Sequence, residues 1–164
     1  IFARHIKKKM KLNNLICVAP DVGGVERTRA LSRRLNSSIA IIDKRRPAPG
    51  KSEVMNIVGS VKNKNCVIVD DIIDSGGTIV NAVEALKNKG AKDVYVYITH
   101  AVLSGEAIYK IEKSKIKKLI TTDTIDNSKK IARSKKVEII SLAPMISEAM
   151  KRIANSTSVS SLFK

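Results

Sequence analysis

Tryptophan is absent, and the only aromatic rings are Phe2, Tyr95, Tyr97, Tyr109 and Phe163. So few and so dispersed a set makes no base-stacking platform for nucleic acid. The formal charge of +16, from 31 Lys and Arg against 15 Asp and Glu, therefore needs another explanation. Its excess is mostly lysine spread over Lys7–Lys9, Lys110–Lys118 and Lys129–Lys136, the pattern of solvated faces, with phosphate-bearing substrates accounting for part of the rest. No specific nucleic-acid partner is expected. Cysteine is equally sparse: Cys17 and Cys66 lie in apolar runs without a short Cys-x-x-Cys spacing, which reads as two reduced core thiols in a cytosolic protein. No apolar stretch approaches membrane-spanning length, and the basic start Arg4–Lys11 leads into no signal-type apolar region. A soluble, cytoplasmic protein without a membrane partner is the expectation.

What the chain does have is aliphatic: 43% of residues are apolar and only 3% aromatic. A core of Ile, Val, Leu and Ala suits strands buried on both faces between helices. At 164 residues one domain, spanning 1–164, is the natural size. Runs rich in β-branched residues predict strands over 15–19, 39–42, 66–69, 94–99, 118–122 and 137–141. Helical spacing falls at 25–35, 78–89, 105–113 and 144–154. Gly90 stands where a left-handed helix end is wanted, and Pro144 where a helix begins. The alternation predicts an α/β fold, a parallel sheet with right-handed crossovers. One connection breaks the rule: Lys44–Ser52 holds two prolines, a glycine and four basic residues, and reads as a mobile surface loop. Residues 54–61 offer a candidate edge hairpin strand.

The informative segment is Cys66–Thr78, in which a buried strand ends in Asp70 and Asp71 and runs on through Ile72, Ile73, Asp74, Ser75, Gly76, Gly77 and Thr78. In an open α/β sheet the carboxyl edge is where ligands bind. Ser75–Thr78 open a helix there, so free N–H groups, two glycines permitting close approach and two hydroxyls surround one point at a positive dipole end. That is a phosphate cradle. Asp70 and Asp71 would repel a phosphate; carboxylates at that place suit vicinal hydroxyls or a bound Mg²⁺. Together they describe a sugar phosphate.

This run resembles the binding motif for phosphoribosyl pyrophosphate (PRPP) found in type I phosphoribosyltransferases and in PRPP synthetases. The segment Ala19–Arg29, reading Ala, Pro, Asp, Val, Gly, Gly, Val, Glu, Arg, Thr, Arg, resembles the one that in PRPP synthetases places an Mg²⁺-binding aspartate after a strand. Asp43, Lys44, Arg45, Arg46 and Pro47 resemble the start of that family's catalytic loop. Ser52–Gly59, Thr99–Gly105 and the tail Ser158–Phe163 are similar as well. The resemblance covers nearly the whole chain and matches the carboxy-terminal half of the two-domain family.

The resemblance implies a type I phosphoribosyltransferase-like fold and a reaction that moves the diphosphoryl group of ATP onto ribose 5-phosphate. It implies that Ser75, Gly76, Gly77 and Thr78 hold the 5-phosphate, with Asp74 ordering their turn. Asp70 and Asp71 would hold the ribose hydroxyls. Asp21 would be the Mg²⁺ ligand, its alternative being a helix N-cap. Lys44 and Arg46 would close over the transferring phosphates. Ser158, Ser160 and Phe163 match positions lining a regulatory site at a subunit interface in some members, the alternative being a tail packed on a neighbour. His100 follows a strand at the ligand edge, as a site neighbour or a packed structural histidine; His5, on an amino-terminal basic helix, reads as bland. The ATP site would lie mainly on the other half, supplied by a homo-oligomer or a partner chain. The competing functions are a non-catalytic ribose 5-phosphate or PRPP binder and a PRPP-consuming phosphoribosyltransferase. The latter would need a hood over a nucleobase, and no segment reads as one.

Overall fold

A computed structural model describes residues 1–45 and 54–163. The elements in chain order are α1 (Phe2–His5) running into a π-helical turn (Ile6–Met10), β1 (Leu15–Ala19), α2 (Val25–Leu35), β2 (Ser38–Arg45), β3 (Val54–Val58), β4 (Asn65–Ile73) and α3 (Gly77–Asn88). There follow β5 (Asp93–Ala101), α4 (Ala107–Lys113), β6 (Lys118–Thr122), α5 (Ser128–Ile131), β7 (Val137–Ile140), α6 (Ala143–Ala154) and a 3₁₀ turn (Ser160–Phe163). The strands form one seven-stranded sheet in the order β3-β2-β1-β4-β5-β6-β7.

Period-2 alternation divides the core between the two faces of the sheet. Ile16, Val18, Cys66, Ile68, Val94, Val96 and Ile98 pack with Ile79, Val83 and Leu86 of α3 and with Ile111 of α4. Cys17, Val67, Val69, Tyr95 and Tyr97 point the other way and pack with Ile6 and with Leu31 of α2. The same face receives α1, where Phe2 meets the Tyr97 ring edge-on at a centroid distance of 5.2 Å. His5 lies 3.0 Å from the Tyr97 hydroxyl through Nδ1 and 3.3 Å from Glu138 through Nε2. It ties the chain's first helix to the sheet.

Gly90 has φ +82° at the end of the α3 segment, and Pro144 occupies the first turn of α6, as their positions predicted. The expected parallel core is present, with β3 at the sheet edge where residues 54–61 offered a hairpin strand, running antiparallel to β2 while every other neighbour is parallel. One expectation needs correction: Lys44, placed by sequence at the start of a loop, lies in β2 opposite Met55. The antiparallel partner explains it: backbone bonds to β3 continue the strand through a polar run that has no apolar period of its own. Arg46 and the rest of the expected loop to Ser52 lie outside the described residues. No helix among the described residues is long and apolar enough to cross a membrane.

Candidate functional site: a crevice at the sheet switch point

From β1 the chain winds outward to β2 and β3 on one side; the following strands extend the sheet on the other side, beginning with β4 beside β1. Between the carboxyl ends of β1 and β4 lies the topological switch point, where open α/β sheets leave a crevice for ligands. The register Val18↔Ile68 brings the turn after β1, with Asp21, alongside the end of β4, with Asp70 and Asp71. Because β2 runs parallel to β1, it carries half-buried Lys44 to the same edge of the sheet.

The acidic pair is not alone in that crevice. Arg27, in the first turns of α2, donates Nη1 to Asp70 Oδ1 and Nη2 to Asp71 Oδ2, the latter at 3.0 Å. The Asp71 N–H in turn donates to Asp70 Oδ1 at 3.0 Å. Arg27 was not singled out by the sequence reading, although it shares a helix face with buried Leu31 four positions on. That position on the apolar side of an amphipathic helix was the available signal. At Asp21, Oδ1 accepts the Gly24 N–H at 2.9 Å, so this carboxylate closes the turn that leads into α2.

Burial pushes the Asp70 carboxyl up to about 6, against the opposing pull of Arg27 and with the Asp71 charge adding to the rise. Asp71, more exposed, is held below its ordinary value: burial raises it, and the hydrogen bond with Asp70, the Arg27 charge and backbone N–H bonds together outweigh that rise. The folded state thus keeps a proton on Asp70 that the unfolded chain, at about 3.9, gives up. The contribution of this group to stability falls as pH rises from about 4 to 6 and is level above that. In a ¹³C carboxyl titration Asp70 should titrate near pH 6. Asp71→Asn should lower that midpoint and Arg27→Ala should raise it; a midpoint near 4 in the unaltered protein would contradict the assignment.

The turn between β4 and α3 has what an anion needs. Gly76 stands at φ +78° just before α3, a conformation costly for any residue with a Cβ. No side chain caps the helix and no acidic residue lies in its first turn, so the first N–H groups of α3 are left to water or a ligand. A Cβ built on Gly77 would meet nothing within 4 Å: the space above it is open. Ser75 and Thr78 are exposed at the same turn. Asp74 contributes through its main chain, its carbonyl accepting the Ser104 N–H at 3.2 Å, while the Ile73 carbonyl accepts the Val102 N–H at 2.9 Å. The loop after β5 thus braces the turn, and Lys110 Nζ reaches the Ser75 carbonyl at 3.5 Å.

The tail stands apart from this crevice. Ser158 and Ser160 touch through their hydroxyls at 2.9 Å, and Arg152 of α6 donates to the Ser158 carbonyl at 3.0 Å. Phe163 closes the 3₁₀ turn, its side chain outside the described residues.

A family model, the phosphoribosyl synthetase-associated domain, matches residues 46–164. The chain belongs to the PRPP synthetase family. A ribose-phosphate pyrophosphokinase of Bradyrhizobium diazoefficiens is 50% identical over 163 residues, covering 99% of this chain and 51% of the relative. The crystal structure of a phosphoribosylpyrophosphate synthetase from Mycobacterium smegmatis superposes with a TM-score of 0.83 at 30% identity, over 94% of this chain and 50% of that one. An adenine phosphoribosyltransferase, at a TM-score of 0.58, 19% identity and coverage of 73% of this chain and 74% of that one, shares the fold alone. This PRPP synthetase family member therefore has a phosphoribosyltransferase-like fold and spans about half the length of the synthetases it matches.

Proposed function

We propose that this chain is the ribose 5-phosphate-binding domain, over residues 1–164, of a PRPP synthetase that moves the diphosphoryl group of ATP onto ribose 5-phosphate. The observation that carries this reading is the uncapped start of α3 standing directly after an acidic pair at the switch point. A phosphate on the Ser75–Thr78 turn would take the N–H groups that no side chain of the protein caps. A ribose attached to it would then lie over the ends of β1 and β4, within the reach of Asp70 and Asp71. Arg27 holds both carboxylates in place and offsets their charge, so that two acids can stand near a phosphate.

Transfer of this kind rests on position and positive charge more than on covalent chemistry. Lys44 and Arg46 are proposed to supply that charge from the β2 end. Asp21 is the proposed Mg²⁺ ligand. Among the described residues no group of three or more His, Cys, Asp or Glu is arranged to hold a metal, and one Asp21 oxygen already accepts a backbone N–H. That fits an ion keeping most of its waters and reaching the protein through one carboxylate and the substrate's own oxygens, which is how Mg²⁺ commonly binds. When bound, Mg²⁺ would neutralise charge on the phosphates. A binding unit without catalysis is the second reading, since among the described residues no group of three or more His, Cys, Asp or Glu is arranged to hold a metal.

Calorimetry with ribose 5-phosphate and with ribose tests the shared part of both readings. The phosphate ester should bind clearly and ribose at least about tenfold more weakly, the value of one or two charge-assisted hydrogen bonds. Equal or absent heats would remove the assignment.

A further inference from the structure

His100 is one of two histidines in the chain, and the structure answers how it is held. It lies exposed near the carboxyl end of β5, paired in register with Ile72, the residue after Asp71. Neighbouring strands are about 4.8 Å apart, so the imidazole stands one strand over from the acidic pair, at the same edge of the sheet. Its Nδ1 is 3.0 Å from Thr124 Oγ1.

The hydroxyls behind it bear on the direction of that bond. Thr122 Oγ1 is 2.7 Å and Thr124 Oγ1 3.0 Å from the Thr99 carbonyl oxygen. A carbonyl can only accept, and Thr124 Oγ1, which also lies 3.2 Å from Thr122 Oγ1, has a single proton to give. Given to the Thr99 carbonyl, that proton leaves Thr124 Oγ1 with lone pairs for a His100 Nδ1–H; neutral His100 would then carry its proton on Nδ1 and leave Nε2 a bare acceptor.

We propose that His100 Nε2 accepts a hydrogen bond from a ribose hydroxyl, making His100 a third sugar-binding residue beside Asp70 and Asp71 and Thr124 the residue that sets its tautomer. This rests on the ribose 5-phosphate reading of the crevice. The role suits the site: a neutral acceptor can meet a hydroxyl without adding negative charge beside two carboxylates.

Long-range ¹H–¹⁵N spectra of the histidines, with His5→Gln identifying the two ring systems, read the tautomer directly. Above the histidine titration range His100 should show a protonated Nδ1 and a bare Nε2, and Thr124→Val should abolish that preference. Ribose 5-phosphate at saturation should shift the Nε2 resonance, whereas inorganic phosphate should leave it in place. His100→Phe should weaken ribose 5-phosphate about fivefold, roughly one hydrogen bond, with inorganic phosphate affinity unchanged. A His100 protonated on Nε2, or an Nε2 signal that ignores bound ribose 5-phosphate, overturns the proposal while leaving the cradle assignment standing. A wild-type protein that fails to prefer ribose 5-phosphate over ribose overturns the cradle and the His100 role together.

Discussion

Purified alone, this chain is expected to form no PRPP or AMP from ATP, Mg²⁺ and ribose 5-phosphate. Diphosphoryl transfer requires ATP to be fixed in line with the attacking hydroxyl, and the described residues offer little to fix it with. No cluster of three potential metal ligands is present among them. The rings that are well placed for packing, Tyr97 and Phe2, are engaged with each other in the core. Holding two reactants in attack geometry contributes roughly 7 to 11 kcal/mol to such a reaction; without it turnover falls below detection. Adding the amino-terminal half of the Bradyrhizobium diazoefficiens relative should restore activity if this domain is the catalytic partner of such a half. Activity of the chain by itself would contradict the account and require a nucleotide site within it. Failure to complement, beside intact sugar-phosphate binding, would favour the binding-only reading.

Much of the architecture was legible in the sequence because strands buried on both faces announce themselves. Cys66–Val69 and Val94–Thr99 are continuous apolar runs, and the structure divides each between two separate core clusters. Glycine and proline punctuated the helices for conformational reasons that do not depend on distant contacts, as at Gly90. What was missed depends on distant contacts. Asp43–Arg45 reads as the start of a loop until Val54–Asn56 is laid antiparallel against it. Four-residue α5 is too short to show a period. The candidate site divides the same way. Asp70–Thr78 is one contiguous run, so its chemistry could be read from the string alone. Arg27 is one basic residue among several on α2, and only the adjacency of β1 and β4 sets it against the two aspartates. The support of His100 joins β5 and the end of β6 through the Thr122 and Thr124 hydroxyls on the Thr99 carbonyl, threonines that in sequence look like an ordinary strand end and the turn after it.

Replacing Gly77 by alanine tests the central claim most directly, because it separates the ligand from the fold. Gly76 is a poor probe, since its left-handed backbone, φ +78°, would be strained by any side chain. Gly77 is the first residue of α3, and a Cβ there meets no protein atom within 4 Å. An alanine in a helix is favoured over glycine by up to about 1 kcal/mol, so Gly77→Ala should melt at the same temperature as the unaltered protein or slightly higher. Yet that Cβ would occupy the space assigned to the phosphate and push it off the N–H groups of the turn. Losing one such charged contact costs about 1.5–3 kcal/mol, which corresponds to roughly ten- to a hundredfold weaker binding. The measurement is the dissociation constant of ribose 5-phosphate for Gly77→Ala beside its melting temperature. A stable protein with binding lost by that factor is the predicted result. A stable protein that binds ribose 5-phosphate as tightly as before would show that the phosphate does not sit on this turn.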